Sequence, residues 1–440
     1  MEMTAGKQKS SIAKVTTASI IGNVIEYYDF IIYGTMTALV FNKLFFPGFD
    51  PFIATILAFS TFAVGFIARP VGAIIFGHFG DKVGRKNALV TTLVMMGLST
   101  FCIGLLPTYE SAGILSPILL VFLRFTQGIS AGGEWGGAVL MAVEHASEKR
   151  RGLIGSLVQM GSPIGIIFSS GTIAILLAVF SDEQFLAWGW RIPFLISIVM
   201  MGLGLFIRLK IMESPVFTKL KKEKTEVKVP VLEVFKKHPR SLLISTGLHL
   251  ADASFGFLMG VFVITYAIAN LGYSNTFVIN MGLISNLFYL VATPLSGFLS
   301  DKFGRRPIYL LGTILLIVYA FPFFWLLNSG NTSLFLLALI GAQTILGLIF
   351  GVQASFYSEL FSAEVRYTGM SLGFQLATVL GGGLMPTISA IIVNSTNGAT
   401  WGISSYLIFL GVITLISAYA AKKTYWDKEP SKVSGQARVS

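Results

Sequence analysis

Residues 80–86 read GDKVGRK and residues 300–306 read SDKFGRR, the same acid, glycine and base turn written twice, 220 positions apart. A repeat spaced over half of a 440-residue chain marks an internal duplication. Three further matches keep nearly the same offset: Glu144 and Arg151 with Glu359 and Arg366, Gly128 and Gly132 with Gly347 and Gly351, and Gln159 with Gln375. Around the turns the chain is 54% apolar and 12% charged, with a mean hydropathy of +0.76. Soluble domains carry about 25% charged residues, so this composition points to a membrane protein.

A helical span needs roughly 20 apolar residues. Twelve such stretches lie near 16–40, 53–77, 88–106, 115–143, 152–180, 190–210, 241–270, 276–299, 308–328, 333–358, 367–394 and 401–421. One long polar break, MESPVFTKLKKEKTEVKVPVLEVFKKHPR (212–240), divides them six and six. The expected fold is all-α, with 12 transmembrane helices in two pseudo-symmetric six-helix bundles flanking a site at the midplane. The expected organisation is an N-terminal bundle (1–211), a partly helical linker (212–240), a C-terminal bundle (241–422) and a short tail (423–440). The first stretch is too long for a signal-peptide core and shows no small-residue cleavage site, so it reads as a retained helix. Cys102 is the one cysteine, inside the third stretch, where packing is its role.

The net charge of +11 raises the question of nucleic acid, and the placement of the charges answers it. Of the 32 lysines and arginines, 28 fall on one side of the expected membrane; only Lys43 and Arg191 fall on the other, with Arg69 and Arg124 inside spans. This bias is the positive-inside pattern and puts both termini in the cytoplasm. The basic balance therefore reports topology, and no nucleic-acid partner is expected.

The twelve-span layout, the duplicated D-K-x-G-R-[RK] turns and the duplicated E-x6-R pairs resemble the major facilitator superfamily over essentially the whole chain. Within it, EYYDF (26–30), ARPVGAIIFGHFGDKVGRK (68–86), RFTQGISAGGEWGGA (124–138) and WGWRIPF (188–194) resemble the metabolite:proton symporter branch. That branch takes up organic acids and zwitterions such as shikimate, dicarboxylates, citrate, proline and betaine. The turn motif is superfamily-wide; GGEWGGA (132–138) is the more specific signal. The resemblance implies a multi-pass carrier of the cell inner membrane that works by alternating access, with the proton as coupling ion and no cofactor. In related sugar symporters an acid in span 1 and an arginine in span 4 form the proton switch, so the resemblance carries that role onto Asp29 and Arg124. It also implies that Asp81, Arg85, Glu144, Arg151, Asp301, Arg305, Glu359 and Arg366 form a cytoplasmic gate, whose bland alternative is topology signalling.

Six charged residues read as lying well within spans: Glu26, Asp29, Arg69, Arg124, Glu134 and Asp252. Each costs a few kcal/mol at the bilayer centre, so each asks for a function or a partner. Gly22, Glu26, Asp29 and Tyr33 share one helical face and should point into a cavity. Arg124 is the cation at comparable depth to Asp29. A carboxylate beside a cation stays ionised and one left alone takes up a proton, so a substrate anion competing for Arg124 would couple its binding to protonation of Asp29. The alternative is a static ion pair. Glu26 has three readings: binding a substrate ammonium, relaying the proton, or anchoring the fold. Glu134, beside Trp135 and four glycines, reads as a cavity acid or as the partner of Arg69.

Span 7, the repeat mate of span 1, carries His249 and Asp252 three apart on one face, a proton-exchangeable pair or a hydrogen-bonded structural one. The offset of 219 pairs Arg124 with Gln343, so only the N half supplies a buried cation; proton coupling falls to that half and much of substrate selection to the C half. Tyr27, Tyr33, Trp135, Gln159, Asn280 and Gln375 are further substrate-binding candidates, with helix-to-helix hydrogen bonding as their other reading. His78, His145 and His238 lie at helix ends or loops, and no histidine spacing suggests a metal.

The leading function is import of a small organic acid or zwitterion by proton symport, shikimate-like or dicarboxylate preferred and proline or betaine possible, with the bilayer and the substrate as partners and a monomer as the expected unit. The alternative is a proton-driven efflux pump for drugs or toxic anions, for which GSPIG (161–165) is only a faint echo of an export motif. A transport-inactive sensor fits less well with two full gate sets. No P-loop and no catalytic arrangement of Ser, His, Asp or metal ligands is present, so an enzyme is not expected. The tail lacks heptads, which removes the coiled coil of osmosensing relatives.

Overall fold

A computed structural model describes residues 2–223 and 229–421; the tail expected at 423–440 lies outside them, as do the side chains of residues 2–11, 38, 51, 52, 55, 59 and 275. Among the described residues twelve helices are long and apolar enough to cross a membrane. In chain order spans 1–6 are Ile12–Leu44, Ile56–Lys82, Arg85–Leu105, Leu115–His145, Glu148–Val179 and Gly189–Leu209. Spans 7–12 are Pro239–Ala269, Thr276–Phe303, Arg305–Leu327, Thr332–Ser358, Arg366–Ser395 and Trp401–Ala420. Two amphipathic helices, Pro215–Glu223 and Pro230–Lys237, occupy the break between spans 6 and 7.

Large apolar side chains such as Ile67, Phe122, Val199, Leu243 and Val318 stand exposed on the outside of the helices. In water such a surface would drive association; in a bilayer it is the lipid-facing side. Polar and charged groups turn inward.

Small residues set how closely the helices approach, because no hydrophobic force separates lipid from helix. A Cβ at Gly132 would stand 2.8 Å from the Ala73 nitrogen and one at Gly128 would stand 2.7 Å from the Ala68 Cβ, so span 4 lies directly on span 2. The repeat mates do the same between spans 10 and 8: a Cβ at Gly347 would meet the Ala292 Cβ at 2.7 Å, and one at Gly351 would collide with the Thr293 carbonyl. Across the halves, span 2 packs on span 11, and span 5 packs on spans 8 and 10. The two repeated turns are sharp at Gly84 (φ +133°) and Gly304 (φ +91°), a backbone region that other residues rarely enter.

Spans 1 and 7 each loosen into a π-helical turn at Thr37–Phe41 and Leu258–Phe262, 221 residues apart, and span 11 does so at Thr378–Gly383. Such turns free backbone groups from the regular ladder and mark places where a helix can bend.

Candidate functional site

The interior of the N half is built on span 1. Thr100 donates to Asp29 Oδ2 at 2.6 Å, Gln127 Nε2 donates to the Thr100 hydroxyl at 2.6 Å, and Arg124 Nη1 donates to Gln127 Oε1 at 3.2 Å. Asp29 and Arg124 are thus joined through two neutral side chains, and no direct ion pair forms between them among the described residues. The direct partnership expected from the sequence is corrected by the aromatic surroundings: the Arg124 guanidinium lies 4.2 Å from the Tyr33 ring centre and 4.9 Å from that of Phe62, where the ring faces hold it. Gly65 makes room for it, since a Cβ there would stand 2.8 Å from the guanidinium carbon. Asp29 Oδ1 and Arg124 Nε remain buried with no hydrogen-bond partner.

One turn away, Arg69 pairs with Glu26 at 3.7 Å and lies 5.3 Å from the ring centres of both Phe30 and Phe66. Glu26, Asp29, Arg69, Arg124 and Gln127 line one small cavity. Phe257 of span 7 closes on it from the C half, edge-on to Phe66 at 5.2 Å and to Phe30 at 6.0 Å.

Glu134 is placed differently from either sequence reading. It does not meet Arg69; both of its oxygens are taken by Arg208 of span 6, and Thr92 donates to it at 2.7 Å. Arg208 reads in the sequence as one of the basic residues surrounding the 212–240 break, yet it is buried, also bonded to the Leu89 carbonyl, and makes a seventh intramembrane charge. Gly22 explains the fit, because a Cβ at that position would stand on the Arg208 guanidinium. A fully enclosed, doubly hydrogen-bonded carboxylate of this kind anchors spans 3, 4 and 6 together and leaves no free oxygen for a substrate.

The C half presents a second cluster. His249 Nδ1 lies 2.8 Å from Asp252 Oδ2, and the Gln353 amide nitrogen lies 3.0 Å from that ring nitrogen and 3.3 Å from the same carboxylate oxygen. The His249 ring stacks on Phe374 at 4.0 Å, and Phe374 stacks on Trp135 of the N half at 3.7 Å. The Trp135 indole donates to Gln159 at 2.9 Å, and Gln159 donates to the Phe350 carbonyl across the halves at 3.3 Å. Gln375 is fully buried with neither amide atom partnered. Tyr27 is half-buried where Gly165 lets span 5 approach it, and the Tyr33 hydroxyl donates to Thr61 at 2.8 Å. Asn280 is exposed on span 8, outside both clusters.

At the end bearing the repeated turns the halves are latched twice. Asp81 accepts from the Tyr367 and Thr368 amides at 3.2 and 2.9 Å and from the Thr368 hydroxyl at 2.8 Å, so its carboxylate caps the start of span 11. Its repeat mate Asp301 accepts from the Gly152 and Leu153 amides at 2.8 and 2.9 Å and caps span 5. Arg85 pairs with Glu144 at 3.1 Å and with Asp81 at 3.7 Å, and Arg305 with Asp301 at 2.9 Å and with Glu359 at 3.2 Å. Arg366 reaches Glu144 across the halves at 3.7 Å, and Arg151 begins the helical segment that Asp301 caps. Glu213 and Ser214 of the linker join in, Glu213 accepting from the Arg85 and Lys86 amides and Ser214 donating to Glu144.

Thr100, Gln127, Arg208, Gln353 and Phe374 are the residues that sequence reasoning missed. Arg208 had a signal, since three acids in the N-terminal spans called for a third arginine. Gln353, one of two glutamines in a strongly apolar span, had one as well. Thr100 and Phe374 carry none, being ordinary residues of apolar helices.

Twelve membrane helices in two halves, latched at one end by a duplicated capping motif and holding a charge-lined cavity among spans 1–4, define a membrane carrier of the Major Facilitator Superfamily. The chain belongs to that family: its profile matches residues 30–386 and, in a second match, residues 244–438. The chain is 42% identical over 93% of its length to the inner membrane metabolite transport protein YhjE of Escherichia coli K12, covering 94% of that protein. It is 37% identical to the shikimate transporter of the same organism, over 94% of this chain and 95% of that one. It is also 37% identical to the proline/betaine transporter of Salmonella typhimurium, over 94% of this chain and 84% of that one. Among solved structures, the proton:xylose symporter XylE bound to 6-bromo-6-deoxy-D-glucose shares the fold, with a TM-score of 0.77 at 18% identity over 96% of this chain and 97% of that one. The protein is an inner-membrane transporter of small molecules and not an enzyme.

Proposed function

We propose that this transporter is a proton-coupled symporter that imports a small organic acid or zwitterion, with a shikimate-like acid or a dicarboxylate preferred and the latched, basic end facing the cytoplasm. The relatives named for shikimate and for proline and betaine support the substrate class, and the positive-inside bias supports the orientation. The observation that carries the reading is the relay from Asp29 through Thr100 and Gln127 to Arg124.

In this mechanism the relay lets a change at Arg124 reach Asp29 without contact between them. A substrate carboxylate that draws the guanidinium off the Tyr33 and Phe62 rings takes Gln127 with it. Gln127 then releases the Thr100 hydroxyl, which turns to the Met96 carbonyl it already reaches at 2.9 Å, and Asp29 loses its one described hydrogen-bond donor. A buried carboxylate without donor or cation is stable only when protonated, so substrate and proton load together. Arg69 with Glu26 gives the same cavity a second cation and a second acid, matching a substrate with a second anionic or hydroxylated end.

The test follows external pH in weakly buffered, de-energised cells expressing the protein as organic acids, proline and betaine are added in turn. Alkalinisation with one compound class, lost in Asp29→Asn, is the expected result. Equilibration of labelled substrate without alkalinisation leaves a uniporter, and absence of any uptake turns the reading to efflux.

A further inference from the structure

Away from the latched end each buried acid of the N half has its own arginine: Glu26 with Arg69, Glu134 with Arg208, and Asp29 with Arg124 through the relay. Asp252 is the exception. Among the described residues it pairs with no lysine or arginine, and its one basic partner is His249. The other titratable groups within electrostatic reach are uncharged at neutral pH: Tyr27 of span 1, Tyr289 of span 8, Tyr309 of span 9 and Tyr357 of span 10. Span 11 faces the pair with Phe374, and span 12 contributes uncharged side chains, Thr414 bonded to the backbone of span 7 at Gly247 and Ala251 and Ser417 against Gly247. An ionised Asp252 beside a neutral imidazole would leave a lone negative charge in the closed interior, which costs several kcal/mol. One added proton removes it.

The surroundings suit that proton. On Nδ1 it lies between the ring and Asp252 Oδ2, 2.8 Å apart, the separation of a charge-assisted hydrogen bond. Gln353 serves both states: its amide donates to the carboxylate when Nδ1 carries the proton and to Nδ1 when it does not, at 3.3 and 3.0 Å. The face of Phe374, itself backed by Trp135, favours a cationic ring over a neutral one.

We propose that His249 and Asp252, braced by Gln353, form a second proton-binding site in the C half, filled while the interior is closed and emptied when water reaches Asp252. The proton passes from water to Nδ1, giving an imidazolium paired with the carboxylate, and returns to water on opening. This deepens the symport reading and adds a proton to the one at Asp29.

The test needs no transported substrate, so it stands or falls separately from coupling at Asp29. Full-length protein labelled with ring nitrogen-15 histidine is reconstituted in liposomes and its four histidines are followed by NMR from about pH 5 to about pH 9, with the signal lost in His249→Gln assigned to that residue. The expected result is an imidazolium that becomes neutral as pH rises. Asp252→Asn should lower its proton affinity roughly tenfold or more, moving the midpoint to lower pH. Asp252→Glu should restore the midpoint, and Asp29→Asn should leave it in place. A wild-type ring that keeps one protonation state throughout overturns the proposal, as does a midpoint indifferent to Asp252→Asn in protein that still elutes as a folded species.

Discussion

Thr100 is an ordinary residue in an apolar helix, and yet its hydroxyl is the one described donor to Asp29, while it accepts from Gln127. Its replacement by valine keeps the shape and removes both bonds. Because a hydrogen bond to a charged group contributes about 1.5–3 kcal/mol, Thr100→Val should lower proton-coupled uptake roughly tenfold or more while leaving the amount of folded protein unchanged. Counterflow of labelled substrate, which needs no net proton movement, should fall less than concentrative uptake. An equal loss in both assays would make Thr100 a packing residue. Glu134 shows the opposite case at this scale. Its position beside Trp135 suggested a cavity acid, but its oxygens are used up by Arg208 and Thr92, and the pair works as an internal clamp.

Pairs of helices are spaced by glycines that the sequence repeats. Gly132 lies against the span 2 backbone at Arg69 and Ala73, and Arg69 is the residue that meets Glu26 in the cavity. Gly132→Leu would push span 2 away and carry Arg69 with it. Overpacking of this kind costs about 1–3 kcal/mol even in adaptable cores, and backbone contact leaves little room for relaxation. The expected outcome is a lower melting temperature in detergent together with loss of uptake, whereas Gly171→Leu, where a Cβ meets nothing within 4 Å, should leave both intact. Equal behaviour of the two variants would show that helix spacing is not what Gly132 provides.

Across the whole molecule the two halves meet at the latched end through Asp81 of span 2, which caps span 11, and Asp301 of span 8, which caps span 5. Single surface ion pairs contribute little, but these acceptors are buried or nearly so and bind backbone amides present only when the end is closed. Replacing both with asparagine should shift the population toward the state open at this end. In a Cys102→Ala background with Ser371→Cys, placed where span 11 touches Gly136 of span 4, the double replacement should raise the alkylation rate about tenfold, equivalent to about 1.4 kcal/mol between the two states. An unchanged rate would mean that the arginine pairs alone keep the end shut.

Much of this protein was legible in its sequence because the relevant signals are local and repeated. Apolar length gives the twelve spans, the asymmetry of lysine and arginine gives the expected orientation, and the duplicated turns and glycines give the two halves. The buried charges announced a site for the same reason: a charge in a span costs too much to be idle. Their partners were not legible, since pairing depends on which helix faces meet and at what depth. Arg208 looked like part of a solvated run and is a buried clamp, because span 6 packs on spans 3 and 1 and Gly22 of span 1 leaves space for the guanidinium to reach Glu134. Asp29 and Arg124 were expected to touch and are held apart, because ring faces compete for the guanidinium and Thr100 for the carboxylate. Composition and periodicity thus determined the class of protein and its spans by themselves, being properties of the chain against the bilayer. Only the tertiary structure decided who pairs with whom, because hydrogen bonds and ion pairs act over a few ångströms between residues far apart in sequence.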